Sequence, residues 1–519
     1  MNTTTETTTL QTGLSRLTDN GTVLITAALA FVVILLAPRA LDALAIYKLP
    51  FVGQEFGSKE KRRVQYLKRA RSLYNEGYHR FKDGVYRITT SRNTTVVVVA
   101  PKFLNELKKL PDTVVSMETA VDEAMETKYI KIETHVPIIP HTITRKLTPS
   151  LTRLNPSIAE EVKLAMQSEF LVGDDWTEIS THRQLTRVIA MVSGRIFIGP
   201  ELSRTEQYLD AAINYTLEVM NAQRAVQKLR PFLRPFLAGT LPEMKRLDQR
   251  IKEAEDFITP VIKLRREALK DSSLEKPDDM LQWFLDCQDQ FPDKNSQNLA
   301  RVQLGLSFAA IHTTTLAVTN AFYDIAAMPE LVPELRQDIM QALEENNGIF
   351  TSQALSAMKK VDSFLKESLR LNPVTMVAFQ RKVLKTVTLS NGQVLPAGVT
   401  IEVPAVAVNS DPSVFADPDT FDGLRFYRLR KQAGEQGSSE KAATNQFVSV
   451  SQDSLTFGYG RHACPGRFFA ANEIKMIFAN AVMMYDIKLA NGCTERYPNI
   501  EFAHMSIPDS SKTLLFKSV

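Results

Sequence analysis

The sequence predicts a mainly α-helical protein with small β-sheets, organised as a single large domain that follows one N-terminal transmembrane helix. Residues 102–372 show helical spacing of apolar side chains almost throughout, and prolines mark the breaks. Strand-like runs are concentrated at residues 84–101 and 387–409, near the two ends of that stretch. Residues 21–38 carry no charge, and together with the residues on either side they are long enough to cross a bilayer.

The composition is that of an ordinary globular protein and gives little support for a polyanionic partner. The 519 residues are 44% hydrophobic and 23% charged, with a formal net charge of only +4, so no nucleic acid partner is expected. The three cysteines, Cys287, Cys464 and Cys493, have spacings that fit neither a zinc site nor a disulfide framework. A reducing compartment is therefore expected for the globular part.

The N-terminal region divides into a polar tail, residues 1–20, an apolar anchor, residues 21–38, and a linker, residues 39–58. Lysines and arginines are concentrated after the anchor, which predicts a lumenal tail and a cytoplasmic domain at residues 59–519. A cleaved signal peptide is the alternative. The long polar lead-in and the lack of a clear small-residue cleavage site argue against it.

Two further patterns flank the anchor. Asn2 and Asn20 each begin an Asn-X-Thr triplet, and each would be a glycosylation acceptor if the tail is lumenal. After the anchor, Pro50 and Gly53 predict a stiff connector at residues 47–54.

The first elements of the domain are a helix and a strand pair. Residues 60–82 predict a basic amphipathic helix. Within residues 84–101, two apolar runs flank the turn-prone residues 91–93, which predicts two strands joined by a turn.

The C-terminal part predicts a second strand pair and a final helix. Asn391-Gly392 is the expected hairpin turn of the pair at residues 387–409. Residues 427–454 are polar with little periodicity, so we expect a surface loop. Helical spacing of apolar residues resumes after Cys464 and predicts the last helix, followed by a short β-rich tail.

Cys464 lies in the stretch FGYGRHACPGRFFAANE, residues 457–473. Four roles are open to it: a packed core thiol, a catalytic nucleophile, a redox thiol or a metal ligand. The neighbouring glycines would let the backbone approach a flat, bulky group. The predicted helix that follows would stabilise a thiolate through its free amides and dipole. His462 lies close enough in sequence that a nucleophile with a histidine base stays open.

Five residues of this stretch match the pattern F-x-x-G-x-[RH]-x-C-x-G: Phe457, Gly460, His462, Cys464 and Gly466. The pattern is a haem-binding signature, and the sequence resembles the cytochrome P450 family of haem-thiolate monooxygenases. The resemblance implies the cytochrome P450 fold and haem b (iron protoporphyrin IX), with Cys464 as the axial thiolate of the iron. It also implies that His462 donates to a haem propionate and that the other three residues shape the cofactor-binding loop.

Other family marks occur in the expected order. Glu367 and Arg370, at i and i+3, would share a helix face, and alone they would be an ordinary solvated pair. The segment PDTFDGLRFY supplies Arg425, which in the family completes a buried Glu–Arg–Arg triad. Such a triad fixes geometry more than it adds stability.

The resemblance also implies partners for the haem propionates. Arg381 follows the Glu367 helix at a position where the family places one. His141 and Arg145 correspond to a family W-x-x-x-R segment, with His141 in place of tryptophan. Alone, both would be surface residues.

The oxygen-activating helix departs from the family pattern. The family shows [AG]-G-x-[DE]-T-[TS], whereas this chain reads AAIHTT over residues 309–314. Thr313 aligns with the family's proton-donating hydroxyl, and His312 replaces the acid. Because histidine titrates near neutral pH, His312 is a candidate proton relay. The AIHTT sequence resembles filamentous-fungal members such as ent-kaurene oxidase and other terpenoid-modifying enzymes.

The implied function is oxidation of a lipophilic small molecule, a terpenoid or meroterpenoid, with O2 and electrons from NADPH. Because the sequence has no dinucleotide-binding fingerprint or P-loop, the electrons would come from NADPH–cytochrome P450 reductase at the endoplasmic reticulum membrane. Arg461, Arg467 and Lys475 could meet that partner. The protein is expected to be a monomer. The family places substrate contacts in several segments: about residues 115–130, about residues 210–240, Phe308–Thr313, Val374–Ala378 and His504–Ser506.

Three other functions are open at this point. A haem-thiolate enzyme can act without oxygenation, as isomerases and nitric oxide reductases do. A catalytically silent haem-binding or sensor protein would keep Cys464 and lose proton delivery. A cysteine hydrolase using Cys464 and His462 would bind no haem at all.

Overall fold

The computed structural model describes residues 26–31, 34, 40, 42–271 and 273–519. Its longer helices are α1 (Lys59–Arg80), α2 (Met117–Met125), α3 (Thr148–Glu169), α4 (Thr181–Phe197), α5 (Glu206–Lys228), α6 (Pro242–Ala268), α7 (Met280–Cys287), α8 (Leu299–Ala327), α9 (Val332–Glu344), α10 (Lys359–Leu371), α11 (Arg425–Glu435) and α12 (Arg467–Met484). Shorter helices are Leu104–Leu107, Thr127–Ile130, Ile138–Thr142, Arg234–Leu237, Lys294–Gln297, Ser352–Ala357, Ala405–Asn409 and Ser439–Thr444.

The strands are short and form small sheets, as predicted. They are β1 (Val85–Thr89), β2 (Thr95–Val99), β3 (Val115–Ser116), β4 (Thr177–Ile179), β5 (Ala378–Val383), β6 (Val387–Thr388), β7 (Val394–Leu395), β8 (Thr400–Val403), β9 (Tyr485–Leu489), β10 (Ile500–Phe502), β11 (Met505–Ile507) and β12 (Leu514–Ser518).

Helix α8 is the apolar centre of the fold. It begins after Asn298, whose side chain accepts a hydrogen bond from the Arg301 backbone N–H at 3.2 Å, and it ends before Pro329. It packs against α4, α5, α10 and α12. Within the described part of the chain it is the one helix long and apolar enough to cross a membrane. Most of that apolar stretch is buried inside the protein, so α8 is a core helix.

The largest sheet has five strands in the order β1-β2-β8-β5-β3. β2 and β8 pair in parallel, and the other neighbours pair antiparallel. The strand pair predicted within residues 84–101 is confirmed, since Val85 pairs with Val99. Its turn contains Asn93 with a φ of 59°, a backbone conformation that asparagine tolerates better than most residues.

Part of the predicted connector packs onto this sheet. Leu49 and Val52 are buried. The Val52 N–H donates to the Arg87 carbonyl at 3.0 Å, and the Arg87 N–H donates to the Pro50 carbonyl at 2.9 Å. The start of the globular domain is thereby tied to β1.

Most of the predicted anchor, residues 21–38, lies outside the described residues, as do the whole predicted tail and both Asn-X-Thr triplets. The described anchor residues, 26–31 and 34, are helical and exposed.

The second predicted strand pair is only partly correct. Val387-Thr388 pairs with Val394-Leu395, and Gly392 provides the turn with a φ of 82°. Residues Ala405–Asn409, expected to be strand, form a short buried helix. Pro404 has no N–H to continue the β8 ladder. The periodicity of a short apolar run does not distinguish a strand from a buried helix.

The surface loop predicted at residues 427–454 is only partly correct, because α11 and Ser439–Thr444 are helical, whereas residues 445–454 contain no helix. Phe426 and Ala433 of α11 are buried, whereas most of its other side chains are polar and face solvent. Such a narrow apolar stripe leaves little periodicity in the sequence. The predicted helices at residues 60–82 and after Cys464 are present as α1 and α12.

Candidate active site

A cavity of about 500 Å³ is lined by α8, by residues 373–375 and 377, and by the loop that carries Cys464. Its walls are mostly apolar. Five residues that the sequence places in the site line it: Thr313, Phe457, His462, Cys464 and Gly466. A concave apolar chamber with a few polar groups is the usual form of a small-molecule site.

The backbone of the Cys464 loop is held by glycines and by internal hydrogen bonds. Gly458 and Gly460 have φ values of 78° and 72°, which residues with a Cβ rarely adopt. The Cys464 N–H donates to the Phe457 carbonyl at 2.8 Å. A Cβ added at Gly466 would meet no atom within 4 Å, so the space around this position of the loop is open.

The Cys464 thiol is influenced by two opposing effects. Burial raises its pKa, while the backbone N–H groups of Gly466 and Arg467 and the charge of Arg467 lower it. Burial prevails, so the helix terminus alone does not produce the predicted thiolate. A metal cation at the sulfur would reverse this balance, because it binds the deprotonated form.

The residues present fit a haem better than a bare metal ion. No group of three or more His, Cys, Asp or Glu side chains able to hold a metal occurs in the described chain. A single cysteine therefore suits a metal whose remaining ligands come from a cofactor, as in a porphyrin.

Arg381 does not line the cavity, but its surroundings are compatible with the same fit. Its side chain is buried, and Nη1 donates to the Gln380 carbonyl at 2.8 Å. It forms no ion pair with any residue that the structure describes, and burial lowers its pKa to about 10. A buried guanidinium without a carboxylate is suited to an anionic ligand group such as a propionate.

His462 contacts a residue that the sequence did not indicate. Its Nε2 lies 2.9 Å from Asp112 Oδ1, and Arg461 Nη2 donates to the same oxygen at 3.0 Å. Burial opposes ionisation of Asp112, but these two partners hold the pKa of its carboxyl below the ordinary value. No hydrogen bond joins His462 to the Cys464 sulfur among the described residues, which disfavours the cysteine hydrolase.

The structure does not bring His141 or Arg145 to the cavity. The His141 ring packs against Phe291 with centroids 5.0 Å apart, and Arg145 is exposed. In this stretch the cavity is lined by Ile139, Ile143 and Leu147, which are four residues apart and share one helical face. His141 and Arg145 lie off that face, so their predicted position beside the cofactor is not observed.

Thr313 and His312 face different surroundings, although they are neighbours. Thr313 lines the cavity, and its hydroxyl donates to the Ala309 carbonyl at 2.7 Å. His312 does not line it; its Nε2 donates to the Ile213 carbonyl of α5 at 2.8 Å. Burial lowers the His312 pKa, so the ring favours its neutral form. Successive helical residues point about 100° apart, which separates His312 from the cavity wall where the prediction placed a relay.

The three predicted triad residues are in direct contact. Arg370 donates two hydrogen bonds to the Glu367 carboxylate, each 2.8 Å long. Arg425 Nε lies 3.1 Å from Glu367 Oε1. All three are buried. Arg370 Nη1 also donates to the carbonyls of Asn409 and Pro418, both at 2.6 Å, which ties α10 to the segment before α11.

The sequence analysis did not indicate Glu473, a buried acid of the helix that follows Cys464. Glu473 of α12 is 1% exposed, and its Oε1 accepts a hydrogen bond from Ser193 Oγ at 2.8 Å. Burial raises its pKa to about 8. An acidic residue within an otherwise apolar helical pattern was the available signal.

The predicted basic docking surface is reduced to two arginines. Lys475 is buried, and its Nζ donates to the Leu355 carbonyl at 3.1 Å, so it is not available to a partner protein. The Arg461 side chain is 43% exposed. Arg467 is half-buried, and its Nη1 donates to the Cys464 carbonyl at 3.0 Å.

Comparison with known proteins gives consistent results. The cytochrome P450 family model matches residues 76–515. Cytochrome P450 monooxygenase ATR3 of Stachybotrys chlorohalonatus is 44% identical over 82% of this chain and 89% of its own length. Cytochrome P450 monooxygenase braC of Annulohypoxylon truncatum is 34% identical over 95% and 97% of the two chains. Cytochrome P450 monooxygenase paxP of Penicillium paxilli is 36% identical over 88% and 87%. With its helical fold and its cysteine loop at an apolar cavity, the chain belongs to the cytochrome P450 family.

Proposed function

We propose that this cytochrome P450 is a monooxygenase that oxidises a lipophilic terpenoid or meroterpenoid of fungal secondary metabolism, with haem b bound through Cys464. The observation that carries the proposal is the position of the Cys464 thiol in the wall of an apolar cavity that Thr313 also lines. When bound, the haem would supply the iron chemistry that activates O2 for insertion into a C–H bond.

On the haem side, the residues of the chain position and tune the cofactor. The Cys464 sulfur would bind the iron, and the amide groups of Gly466 and Arg467 favour its deprotonated form. Arg381 and His462 are proposed partners of the propionates. Glu367 and its two arginines would keep α10 in register with the segments that surround the loop.

On the substrate side, the chain excludes water and holds a proton. Ala309 and Ala310 leave space in the cavity wall. The Thr313 proton is directed to the Ala309 carbonyl, and rotation about its Cα–Cβ bond would redirect it into the cavity. His312, which is bound to Ile213, would have to leave that carbonyl before it could pass on a proton.

The cavity wall supports a lipophilic substrate. Leu306, Val374 and Val377 line it, and Thr375 is one of its few polar side chains. The hairpin β10–β11 backs this wall, because the Met376 N–H donates to the His504 carbonyl at 2.7 Å. The terpenoid assignment depends on the resemblance of the AIHTT sequence to fungal terpenoid-modifying members.

A location at the endoplasmic reticulum membrane is proposed from exposed apolar side chains. Leu29, Phe31 and Ile34 of the proposed anchor are more than half exposed, and so are Phe232 and Phe236 in the domain. Large apolar side chains exposed in this way are typical of surfaces that contact a membrane or a partner. The domain would then face the cytoplasm, as a monomer.

NADPH–cytochrome P450 reductase is the proposed electron donor. Arg461 and Arg467 flank Cys464 in the sequence, and both are at least partly accessible. Positive side chains beside the cysteine loop would complement an acidic flavoprotein surface and would speed its association at low salt.

Incorporation of labelled oxygen tests the monooxygenase proposal. The full-length protein, loaded with haem and mixed with the reductase and NADPH, is supplied with ¹⁸O2 and a panel of terpenoid precursors. One ¹⁸O atom in the product, dependent on NADPH, is the expected result. Turnover without NADPH to an unlabelled product of the same mass as its substrate would instead indicate a non-oxygenating isomerase. Haem binding with no turnover of any substrate and no NADPH consumption would indicate a silent haem protein.

A further inference from the structure

The segment Thr444–Ser449 presses a phenylalanine against the cysteine loop. Phe447 is 3% exposed, and its ring packs edge-on against the Phe457 ring with centroids 5.8 Å apart. The Phe457 carbonyl accepts the hydrogen bond from the Cys464 N–H. Phe457 therefore contacts both Phe447, through its ring, and the backbone of Cys464, through its carbonyl.

Side chains of helix α10 form hydrogen bonds with both an N–H group and carbonyl groups of this segment's backbone. Asp362 Oδ2 accepts a hydrogen bond from the Phe447 N–H at 2.9 Å. Lys366 Nζ donates to the Thr444 carbonyl at 2.9 Å and to the Gln446 carbonyl at 2.8 Å. Because Asp362 and Lys366 are at i and i+4, they lie on one face of the helix. Together they bind the backbone at Phe447 and at the residues just before it.

Asp362 also contacts the helix on the other side of the cysteine. Its Oδ1 pairs with Lys475 of α12, and Lys475 in turn donates to the Leu355 carbonyl. A second cation, Arg430, lies 3.1 Å from Oδ2. One carboxylate thus connects with the loop before Cys464, through Phe447 and Phe457, and with the helix after it.

The side chains of Asp362 and Lys366 are both buried, and burying a charged group has an unfavourable desolvation free energy. Asp362 is 4% exposed and Lys366 is 7% exposed, and burial lowers the Lys366 pKa to about 7. Buried charges fix geometry better than they add stability, because their desolvation offsets much of the attraction. The hydrogen bonds that Asp362 and Lys366 form with backbone groups all go to residues 444–447, and the position of that segment determines where the Phe447 ring lies.

We propose that Asp362 and Lys366 are positioning residues that keep the Cys464 sulfur at the haem iron through the contact of Phe447 with Phe457. This role rests on the proposed function, because it concerns the loop that would hold the haem. It differs from the role of the Glu367 triad, whose contacts go to residues 409–425 rather than to the segment that meets Phe457.

The test compares charge-removing variants in the haem-loaded full-length protein. Lys366→Met removes the donor to the Thr444 and Gln446 carbonyls. Asp362→Asn replaces the charged acceptor of the Phe447 N–H by a neutral amide oxygen.

Lys441→Met and Glu440→Gln are matched controls on the exposed helix that precedes the segment. Each protein is reduced and treated with CO, and the decay of its red-shifted thiolate Soret band is followed during mild warming. Helix unfolding is followed in parallel by circular dichroism.

The expected result is a thiolate band that decays at least about tenfold faster in Lys366→Met than in Lys441→Met, because the change removes two hydrogen bonds to backbone carbonyls. The band should also decay faster in Asp362→Asn than in Glu440→Gln, since the Phe447 N–H loses its charged acceptor. Unfolding should accelerate less than this decay. Decay at the control rate, or acceleration only in proportion to unfolding, would overturn the inference. A wild-type protein without the thiolate band would instead overturn the proposed function.

A second pair of variants decides the matter if the charge variants fail to fold. Phe447→Leu leaves the hydrogen bonds of Asp362 and Lys366 to the segment intact and removes the ring contact to Phe457. Phe170→Leu is its control, since Phe170 is equally buried and packs against Tyr485 and Phe516. Faster loss of the thiolate band in Phe447→Leu than in Phe170→Leu supports the inference, and equal rates overturn it.

Discussion

The two sides of the cavity are built by different physical means. The cysteine side is fixed by glycines in a left-handed backbone conformation and by buried charged side chains on α10, among them Glu367 and Lys366. The substrate side consists of apolar side chains such as Leu306, Val374 and Val377, which are held mainly by packing. Hydrogen bonds and ion pairs have narrow geometric limits, whereas apolar packing accepts changes of similar volume at small cost.

This difference separates the reaction from its selectivity. A sulfur must lie at a set distance and angle from a metal, so its surroundings must be rigid. A lipophilic substrate needs only a complementary volume, which many sets of apolar side chains can provide. Substitutions on the cysteine side should therefore abolish function, and substitutions on the substrate side should redirect it.

The largest effect is expected from Glu367→Ala. This change leaves Arg370 and Arg425 as buried charges without their carboxylate, which costs about 3–5 kcal/mol. We expect purified protein with little or no haem, measured as the Soret absorbance per protein. Glu334→Ala, which removes a half-exposed carboxylate paired with Lys360, is the control and should keep its haem. Full haem content in Glu367→Ala would show that the triad is dispensable.

The next effect is a change in how stability depends on pH. Because the Glu473 pKa is raised from 4.5 to about 8 in the fold, the folded protein binds a proton that the unfolded chain has released. Its contribution is complete at low pH and is lost as the pH rises through about 8. Glu473→Gln can keep the bond to Ser193 and does not titrate.

The variant Glu473→Gln should therefore exceed the wild type in thermal midpoint by much more near pH 8 than near pH 5, as measured by circular dichroism. Identical pH dependence of the two proteins would mean that Glu473 is not a protonated acid in the fold.

A smaller effect is expected from Thr313→Ala, on the substrate side. The Thr313 hydroxyl is a polar group of α8 in the cavity wall, where it would supply a proton. Its loss should lower the product formed per NADPH by about tenfold or more and leave the CO spectrum unchanged. Thr315 makes the same type of bond to the helix backbone but does not line the cavity, so Thr315→Ala is the matched control. Equal coupling in the two variants would contradict a role for Thr313.

The smallest effect is expected from Val377→Ala. The cavity gains the volume of two methyl groups, so the ratio of products oxidised at different carbons should change by about threefold to tenfold. Haem content and the CO spectrum should stay as in the wild type. Val403→Ala, a buried valine of β8 outside the cavity wall, should leave the product ratio unchanged. Loss of the thiolate Soret band in Val377→Ala would contradict the proposal that the two sides of the cavity act independently.

The sequence predicted the cysteine side better than the substrate side, for a physical reason. The cysteine loop depends on glycines and charges at fixed spacing, so residues such as Gly460, Cys464 and Arg425 are visible as a pattern. Asp112 and Asp362 act through contacts across long sequence distances, and no local pattern shows them. His312 illustrates the limit most clearly, because its neighbour lines the cavity while its own ring faces α5.

The prediction of secondary structure failed where local patterns are ambiguous. Ala405–Asn409 is a short, nearly continuous apolar run that is helical after Pro404, and α11 is a polar helix with a narrow buried stripe. In both segments the tertiary contacts determined the structure.

The central claim is that Cys464 holds a haem iron as a thiolate. The direct measurement is the absorption spectrum of the reduced, CO-treated full-length protein beside that of Cys464→Ser. We expect the strongly red-shifted Soret band of a thiolate ligand in the wild type and its complete absence in the variant. A wild-type band at the position of a histidine or thiol ligand, or no haem absorbance at all, would contradict the account.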